Sequence, residues 1–202
     1  MQVTEFVEVY MCPFHDKYVR TQRAVSFFLC TFVRKYNIME SELKLHIKKF
    51  NELTVDELYE LLRVRSEVFV VEQDCVYQDM DGDDKEAIHV WLTETVAKED
   101  EQNGDVTDNE KVVALARVCP AGVHLPTISI GRVITTVRGK GYGKQIMLAA
   151  IDVAVEHFGA TSIDIEAQEY AKGFYEGVGF KQTSDTFMLD GIPHIKMQWQ
   201  RG

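Results

Sequence analysis

The stretch VRGKGYGKQ, Val137 to Gln145, sets three glycines at alternate positions among one arginine and two lysines. The run after it, IMLAAIDVAVEHFG, places Ile146, Ala150, Ala154 and Phe158 in one row with Met147 and Ile151 beside it. That spacing predicts a helix, which Gly159 ends. Before the glycines, TISIGRVITT (Thr127 to Thr136) reads as a strand. A strand, a glycine turn and a helix in that order suit an anion. The first-turn N–H groups lack partners and carry the positive end of the helix dipole, and glycines let backbone come close to the ligand. Arg138, Lys140 and Lys144 add charge. The spacing Gly139-x-Gly141-x-Gly143 is not the G-x-G-x-x-G of dinucleotide folds, and no G-x-x-x-x-G-K-[ST] is present.

Working outward, ELKLHIKKF (Glu42 to Phe50) alternates Leu43, Leu45 and Ile47 with polar neighbours, as a half-buried strand does. TVDELYELLRVRSEVFVVEQ follows, with Thr54 and Glu57 at capping-box spacing and Val55, Leu58, Tyr59, Leu62 and Phe69 at helical intervals. AIHVWLTETVA and KVVALARVCP read as two strands, and the acidic KEDEQNGDVTDNEK between them as a long hairpin tip. SIDIEAQ alternates Ile163, Ile165 and Ala167 with polar residues, and AKGFYEGVGF is a short helix. KQTSDTFML and HIKMQW close the chain as strands joined by the turn DGIP. Strands and helices without regular alternation or an internal repeat predict an α/β fold, a mixed, mostly antiparallel sheet flanked by helices.

The 202 residues are 46% hydrophobic and carry a net charge of −10, enough core for a folded domain and a surface that repels nucleic acid and anionic membrane. Such a surface favours cationic partners such as amines. Cys12, Cys30, Cys75 and Cys119 form no C-x-x-C pair and read as reduced thiols of a cytoplasmic protein, without a zinc site. Residues 1–38 are net +2 and contain the largely apolar AVSFFLCTFV, too short to span a bilayer and lacking a cleavage site. They are treated as an N-terminal extension to a domain of residues 39–202, with Met39 a natural domain start.

RGKGYG, Arg138 to Gly143, matches the R/Q-x-x-G-x-G/A signature of GCN5-related N-acetyltransferases, the GNAT family. FYEGVGF, Phe174 to Phe180, resembles that family's late helix, with its tyrosine followed by Gly-Phe. More narrowly, RSEVFVVEQDCVYQDMDGDD, IGRVITTVRGKGYGKQIM, EAQ and DGIPHIKM together resemble the ElaA-type subfamily. The likeness covers residues of about 46–202; the first 38 residues and the acidic hairpin lie outside its pattern. It implies a GNAT-type sheet, acetyl-CoA as co-substrate, no metal, and an amine acceptor that is a small molecule or a peptide. A homodimer is common for that fold.

By this resemblance the backbone of Arg138, Gly139, Lys140, Gly141, Tyr142, Gly143 and Lys144 holds the pyrophosphate. The pantetheine arm runs along Arg132 to Thr135, with Val133 and Thr135 as the chosen contacts and Ile134 between them. Tyr175 is the candidate acid: a phenol of pKa about 10 can protonate a thiolate of pKa about 8.5. An alkyl ammonium of pKa about 10.4 must lose a proton before it attacks, and Glu166, then His194, are the candidate bases. Gln168 is placed to orient substrate or water.

YQDMDGDD, Tyr77 to Asp84, fails as a calcium loop, because positions six and twelve counted from Asp79 are Asp84 and Val90. The alternative is a solvated acidic turn or a wall of the acceptor pocket. The second is preferred, with Asp81, Asp83, Arg65 and Phe69 as substrate-binding candidates and Glu72 and Gln73 in the same wall. Two rivals remain. A non-catalytic acyl-CoA sensor would keep the glycine loop without needing Tyr175, Glu166 and His194. An acyl-homoserine-lactone-synthase-like enzyme would share Arg65-x3-Phe69 and the acidic cluster, but the intact glycine loop favours CoA over a carrier protein.

Overall fold

The computed structural model describes residues 43–99 and 106–202. The N-terminal extension expected over residues 1–38 and the tip of the acidic hairpin lie outside the described residues.

The sheet is built from β1 (Leu43–Lys49), β2 (Ile88–Glu99), β3 (Val106–Cys119), β4 (Ser129–Thr135), β5 (Ser162–Gln168), β6 (Lys181–Gln182), β7 (Phe187–Leu189) and β8 (Ile192–Gln200). Its order is β1-β2-β3-β4-β5-β8-β6, with β7 also on β8. Every neighbouring pair is antiparallel except β4 and β5. That parallel pair is joined by the helix α2 (Tyr142–Phe158), since parallel strands need a crossover. The mostly antiparallel, helix-flanked sheet is as expected.

The first helix, α1 (Val55–Arg65), begins on the predicted capping box. Glu57 N–H donates to Thr54 Oγ1 at 3.1 Å, and Thr54 N–H donates to Glu57 Oε2 at 2.9 Å. The expected continuous α-helix through Gln73 is not what forms. From Ser66 to Glu72 the winding widens into a π-turn, closed by Gln73 N–H on the carbonyl of Val68. Such turns move side chains off the 3.6-residue period and concentrate at functional sites. Phe69 is thereby brought to the cleft described below.

The acidic hairpin also differs from expectation. Pairing continues through Lys98↔Thr107 to Glu99↔Val106, so much of the segment read as a tip is ladder. Ladder bonds join backbone groups, so an acidic sequence does not by itself oppose them. At the other end of the chain, the single strand expected over Lys181–Leu189 is broken into β6 and β7. Between them Ser184 Oγ accepts from Lys196 N–H at 2.8 Å, a side chain standing in for a backbone acceptor.

The core lies on both faces of the central strands. Ile146, Met147, Ala150 and Ala154 of α2 and Ile163, Ile165 and Ala167 of β5 are buried in the predicted alternation. On the other side Leu61 and Val64 of α1 pack on Trp91, Val112, Leu115 and Ile134. No helix among the described residues is long and apolar enough to cross a membrane.

Candidate active site

The parallel pair is where the sheet opens. β4 and β5 share one bridge, Ser129↔Asp164, and then part, although β4 runs on to Thr135 and β5 to Gln168. The parting coincides with a bulge: β4 sets Gly131 to Ile134 against Arg117 to Leu115 of β3, and Arg132 sits at φ +53°. An extra residue bends its strand and leaves one backbone unit out of the ladder.

A cleft of about 380 Å³ fills the opening. The π-turn and the loop after it contribute Phe69, Gln73, Cys75 and Tyr77, and the bulge contributes Gly131, Arg132 and Val133. Glu166 and Gln168 enter from β5, Tyr175 from α3 (Lys172–Glu176) and His194 from β8. Antiparallel register explains the grouping: Glu166 faces Lys196 and Gln168 faces His194, so all four share one face of the sheet. Gln168 Nε2 also donates to Gln73 Oε1 at 3.0 Å, tying β5 to the end of the π-turn.

Tyr175 packs edge-on against Phe174 and Phe180 at centroid distances of 5.0 and 6.1 Å. Burial, with a small contribution from Tyr170, raises its pKa, so the phenol stays protonated. Its hydroxyl has no hydrogen-bond partner among the described residues. A protonated hydroxyl with no protein partner, on a half-buried ring in the wall of a cleft, is available to a ligand.

The two candidate bases differ in their surroundings. Glu166 Oε1 lies 3.6 Å from Lys196 Nζ and so has a cation beside it. His194 is nine-tenths buried, with Nδ1 2.8 Å from the carbonyl oxygen of Ile192. A carbonyl only accepts, so Nδ1 carries the proton and Nε2 of the neutral ring keeps its lone pair.

The glycine loop lies beyond the cleft, and its three glycines have two different reasons. Gly139 and Gly141 have φ of +83° and +78°, a left-handed backbone that turns the chain into α2. Gly143 is a close approach instead: a Cβ there would lie 3.3 Å from Phe174 Cε2 and 3.4 Å from Thr135 Cγ2. Gly141 carbonyl accepts from both Lys144 N–H and Gln145 N–H, at 3.1 and 3.2 Å. Of the loop cations, Arg138 bonds to Glu72 and Lys140 lies 3.3 Å from Glu94. Lys144 is exposed, with no ion-pair partner among the described residues. Tyr142 is buried and its hydroxyl donates to Glu94 at 3.2 Å, so its side chain braces the loop.

The acidic turn forms a network with three arginines. Arg65 is 2% exposed and does not line the cleft. Its Nε donates to Asp79 at 2.9 Å and its Nη1 to Asp84 at 2.6 Å. Arg117, equally buried, grips Asp81 with two bonds of 2.7 Å. Arg132 reaches Asp79 at 2.7 Å and Asp81 at 3.0 Å. Burial pushes the Asp81 carboxyl up, but the bonds and charge of Arg117 and Arg132 outweigh it and hold the group below the usual carboxylate range. Asp81 lines the cleft; Asp83 does not, and bonds to His124 at 3.0 Å. Burial pushes the neighbouring Cys119 thiol up to about 11, so it stays a neutral thiol. Asp81, Asp83 and His124 bring ligand atoms within 4.8 Å of one another, but Arg117 and Arg132 occupy and oppose any cation there.

Sequence reading did not single out Arg117, Arg132 or Asp79 as partners. Arg117 had a signal: a charge inside the apolar run VVALARVC must be paired if that strand is buried. Which acid it meets is set by a turn 36 residues away in the chain.

Residues 68–201 match the family model of the acetyltransferase (GNAT) domain. A UPF0039 protein of Schizosaccharomyces pombe is 37% identical over 161 residues, 78% of this chain and 97% of that protein. Protein ElaA of Escherichia coli is 37% identical over 149 residues, 73% of this chain and 90% of its own length. The crystal structure of E. coli ElaA superposes with a TM-score of 0.66, covering 78% of this chain and 99% of that one at 32% identity. An acyl-CoA N-acyltransferase from Pseudomonas aeruginosa gives 0.64 at 31% identity, covering 77% and 99%. With the open parallel pair, the glycine loop and the phenol in the cleft wall in one fold, these similarities place the chain in the GNAT acetyltransferase family, in company with ElaA.

Proposed function

We propose that this protein transfers an acetyl group from acetyl-CoA directly to an amine, a small molecule or a peptide, in the reducing environment of the cytoplasm. One observation carries the reading: the protonated, unpartnered hydroxyl of Tyr175 stands in the wall of the cleft that opens where β4 and β5 part. The pyrophosphate sits on the N-terminus of α2 and the loop Arg138 to Lys144, and the pantetheine arm lies along β4 from Val133 through Ile134 to Thr135. The acceptor enters past Phe69, Asp81 and Gln168.

The chemistry then closes. The ammonium gives one proton, through water, to Nε2 of His194, and the neutral amine attacks the thioester carbonyl. Collapse of the tetrahedral adduct breaks the C–S bond. Tyr175 protonates the departing thiolate and is restored by the second proton that the nitrogen loses. His194 is preferred over Glu166 because Nδ1 is committed to the Ile192 carbonyl, whereas Glu166 has Lys196 beside it.

The test is release of CoA thiol from acetyl-CoA across a panel of small amines and short peptides, with an amine-free control. Release dependent on one class of amine supports the reading; acetyl-CoA binding with no release from any amine removes it in favour of a sensor. With a responsive amine, His194→Gln is expected to lower kcat about 100-fold at neutral pH. That loss should shrink as pH approaches the amine's own pKa, because the base is then no longer required. Glu166→Gln should cost under about threefold, the scale of a partly exposed ion pair.

The loop makes a separate prediction. Lys144→Ala is expected to raise the Kd of acetyl-CoA about tenfold and to flatten its dependence on salt, as a lost charge-assisted phosphate contact does. Binding of acetyl-pantetheine, which lacks the pyrophosphate, should not change. Calorimetry with both ligands checks this.

A further inference from the structure

Arg132 lies in the bulge of β4 with φ +53°, a conformation that disfavours a residue bearing a Cβ by roughly tenfold in population. Glycine would adopt it freely, and Gly131 stands one position away, yet an arginine occupies it. Its side chain is held at both Nε and Nη2. Nε donates to Asp79 Oδ1 at 2.7 Å, and Nη2 donates to the Asp79 carbonyl at 3.1 Å and to Asp81 Oδ2 at 3.0 Å. The guanidinium lies over the rings of Tyr77 at 5.4 Å and Phe69 at 6.0 Å. Asp79 is itself fixed by Arg65 Nε and by the Tyr77 hydroxyl, each at 2.9 Å. A strained backbone residue persists where its surroundings over-determine it, and such strain collects at functional sites.

We propose that the ion pair of Arg132 with Asp79 is a positioning device. The acidic turn grips Arg132 from outside the sheet and keeps the bulge in its left-handed form. The bulge in turn keeps β4 and β5 apart and presents its unpaired backbone to the cleft. Gly131, Arg132 and Val133 all line that cleft. Resting on the acyl-transfer reading above, the role of the device is to set the thioester carbonyl against a backbone donor of the bulge. The acidic turn then serves the acyl donor through Arg132, beyond any contact it makes with the acceptor.

Glycine and alanine separate this role from a plain ion pair, because both delete the guanidinium and only glycine favours the positive φ. The variants are Arg132→Ala, Arg132→Gly and Asp79→Asn in the full chain. In urea unfolding without ligand, Arg132→Gly is expected to have an unfolding equilibrium constant about tenfold smaller than Arg132→Ala. With acetyl-CoA and a responsive amine, Arg132→Ala and Asp79→Asn should lose about 100-fold in kcat, the scale of a misplaced oxyanion donor, with KM for acetyl-CoA within about threefold. Arg132→Gly should regain about tenfold of that loss. Glycine no better than alanine in either measurement overturns the proposal, since the arginine would then act by its charge alone. Unfolding compares free proteins, so it is independent of the functional reading. If glycine is the more stable variant while wild type acetylates no amine, the acyl-transfer reading fails and the carbonyl-positioning role goes with it.

Discussion

Tyr175→Phe is expected to lower kcat for acetyl transfer about 100-fold or more and to leave the Kd of acetyl-CoA unchanged. The size follows from removing a positioned acid, which contributes roughly 10²–10⁴-fold. The selectivity follows from the structure. The hydroxyl bonds to no described residue, and the ring's contacts with Phe174 and Phe180 survive in phenylalanine. Folding and cofactor affinity therefore stay as they are. Burial raises the pKa of the phenol, so the loss should be the same at pH 7 and pH 9, where the wild-type group is protonated throughout. Pre-steady-state release of CoA thiol, with acetyl-CoA affinity measured on the same samples, decides it. Equal rates for the two proteins would assign Tyr175 to packing.

The second large effect is on stability. Arg65→Met removes the buried cation that Asp79 and Asp84 share and sets an apolar side chain beside them, leaving Arg132 on Asp79 and Arg117 on Asp84. Breaking a buried pair from one side costs about 3–5 kcal/mol, which at about 2–4 °C per kcal/mol for a domain of this size lowers Tm by on the order of 10 °C. The pH dependence carries a sign. Burial pushes the Asp84 carboxyl up, and the bond and charge of Arg65 pull it below its ordinary value. A depressed carboxyl contributes stability that is present above the unfolded pKa, about 3.9, and is lost as pH falls through the folded value. In Arg65→Met much of that contribution is already absent. The Tm gap between wild type and variant should be widest at neutral pH and narrow toward pH 3. A gap independent of pH would mean that the penalty comes from packing and not from the carboxylates' lost cation.

The elements of the fold were legible because their signals are local. The capping box of α1 needs residues three apart, the row of α2 residues four apart, and the alternation of β5 residues two apart. The glycine loop is equally local: φ at Gly139 and Gly141 and the start of α2 follow from a dozen consecutive residues. So the glycine turn into α2, the tyrosine of the late helix and the mostly antiparallel sheet were all open to reading from the chain. Where local signals misled, backbone geometry had the last word. The π-turn shifted Phe69, and the hairpin ladder ran on through an acidic segment.

Long-range contacts decided the rest. That Glu166, Gln168, Lys196 and His194 share a face depends on the register of β5 on β8. That His194 keeps a free Nε2 depends on a turn carbonyl. The acidic turn looked like a field for attracting an amine, and its charge is largely met by Arg65, Arg117 and Arg132 from three separate elements. The sequence by itself determined most of the elements and the glycine turn that leads into α2, because helix, strand and turn energies arise between near neighbours. Only the tertiary structure decided which charges stay available to a substrate. A charge spends its field on whatever lies within a few ångströms, and folding chooses those neighbours from anywhere in the chain.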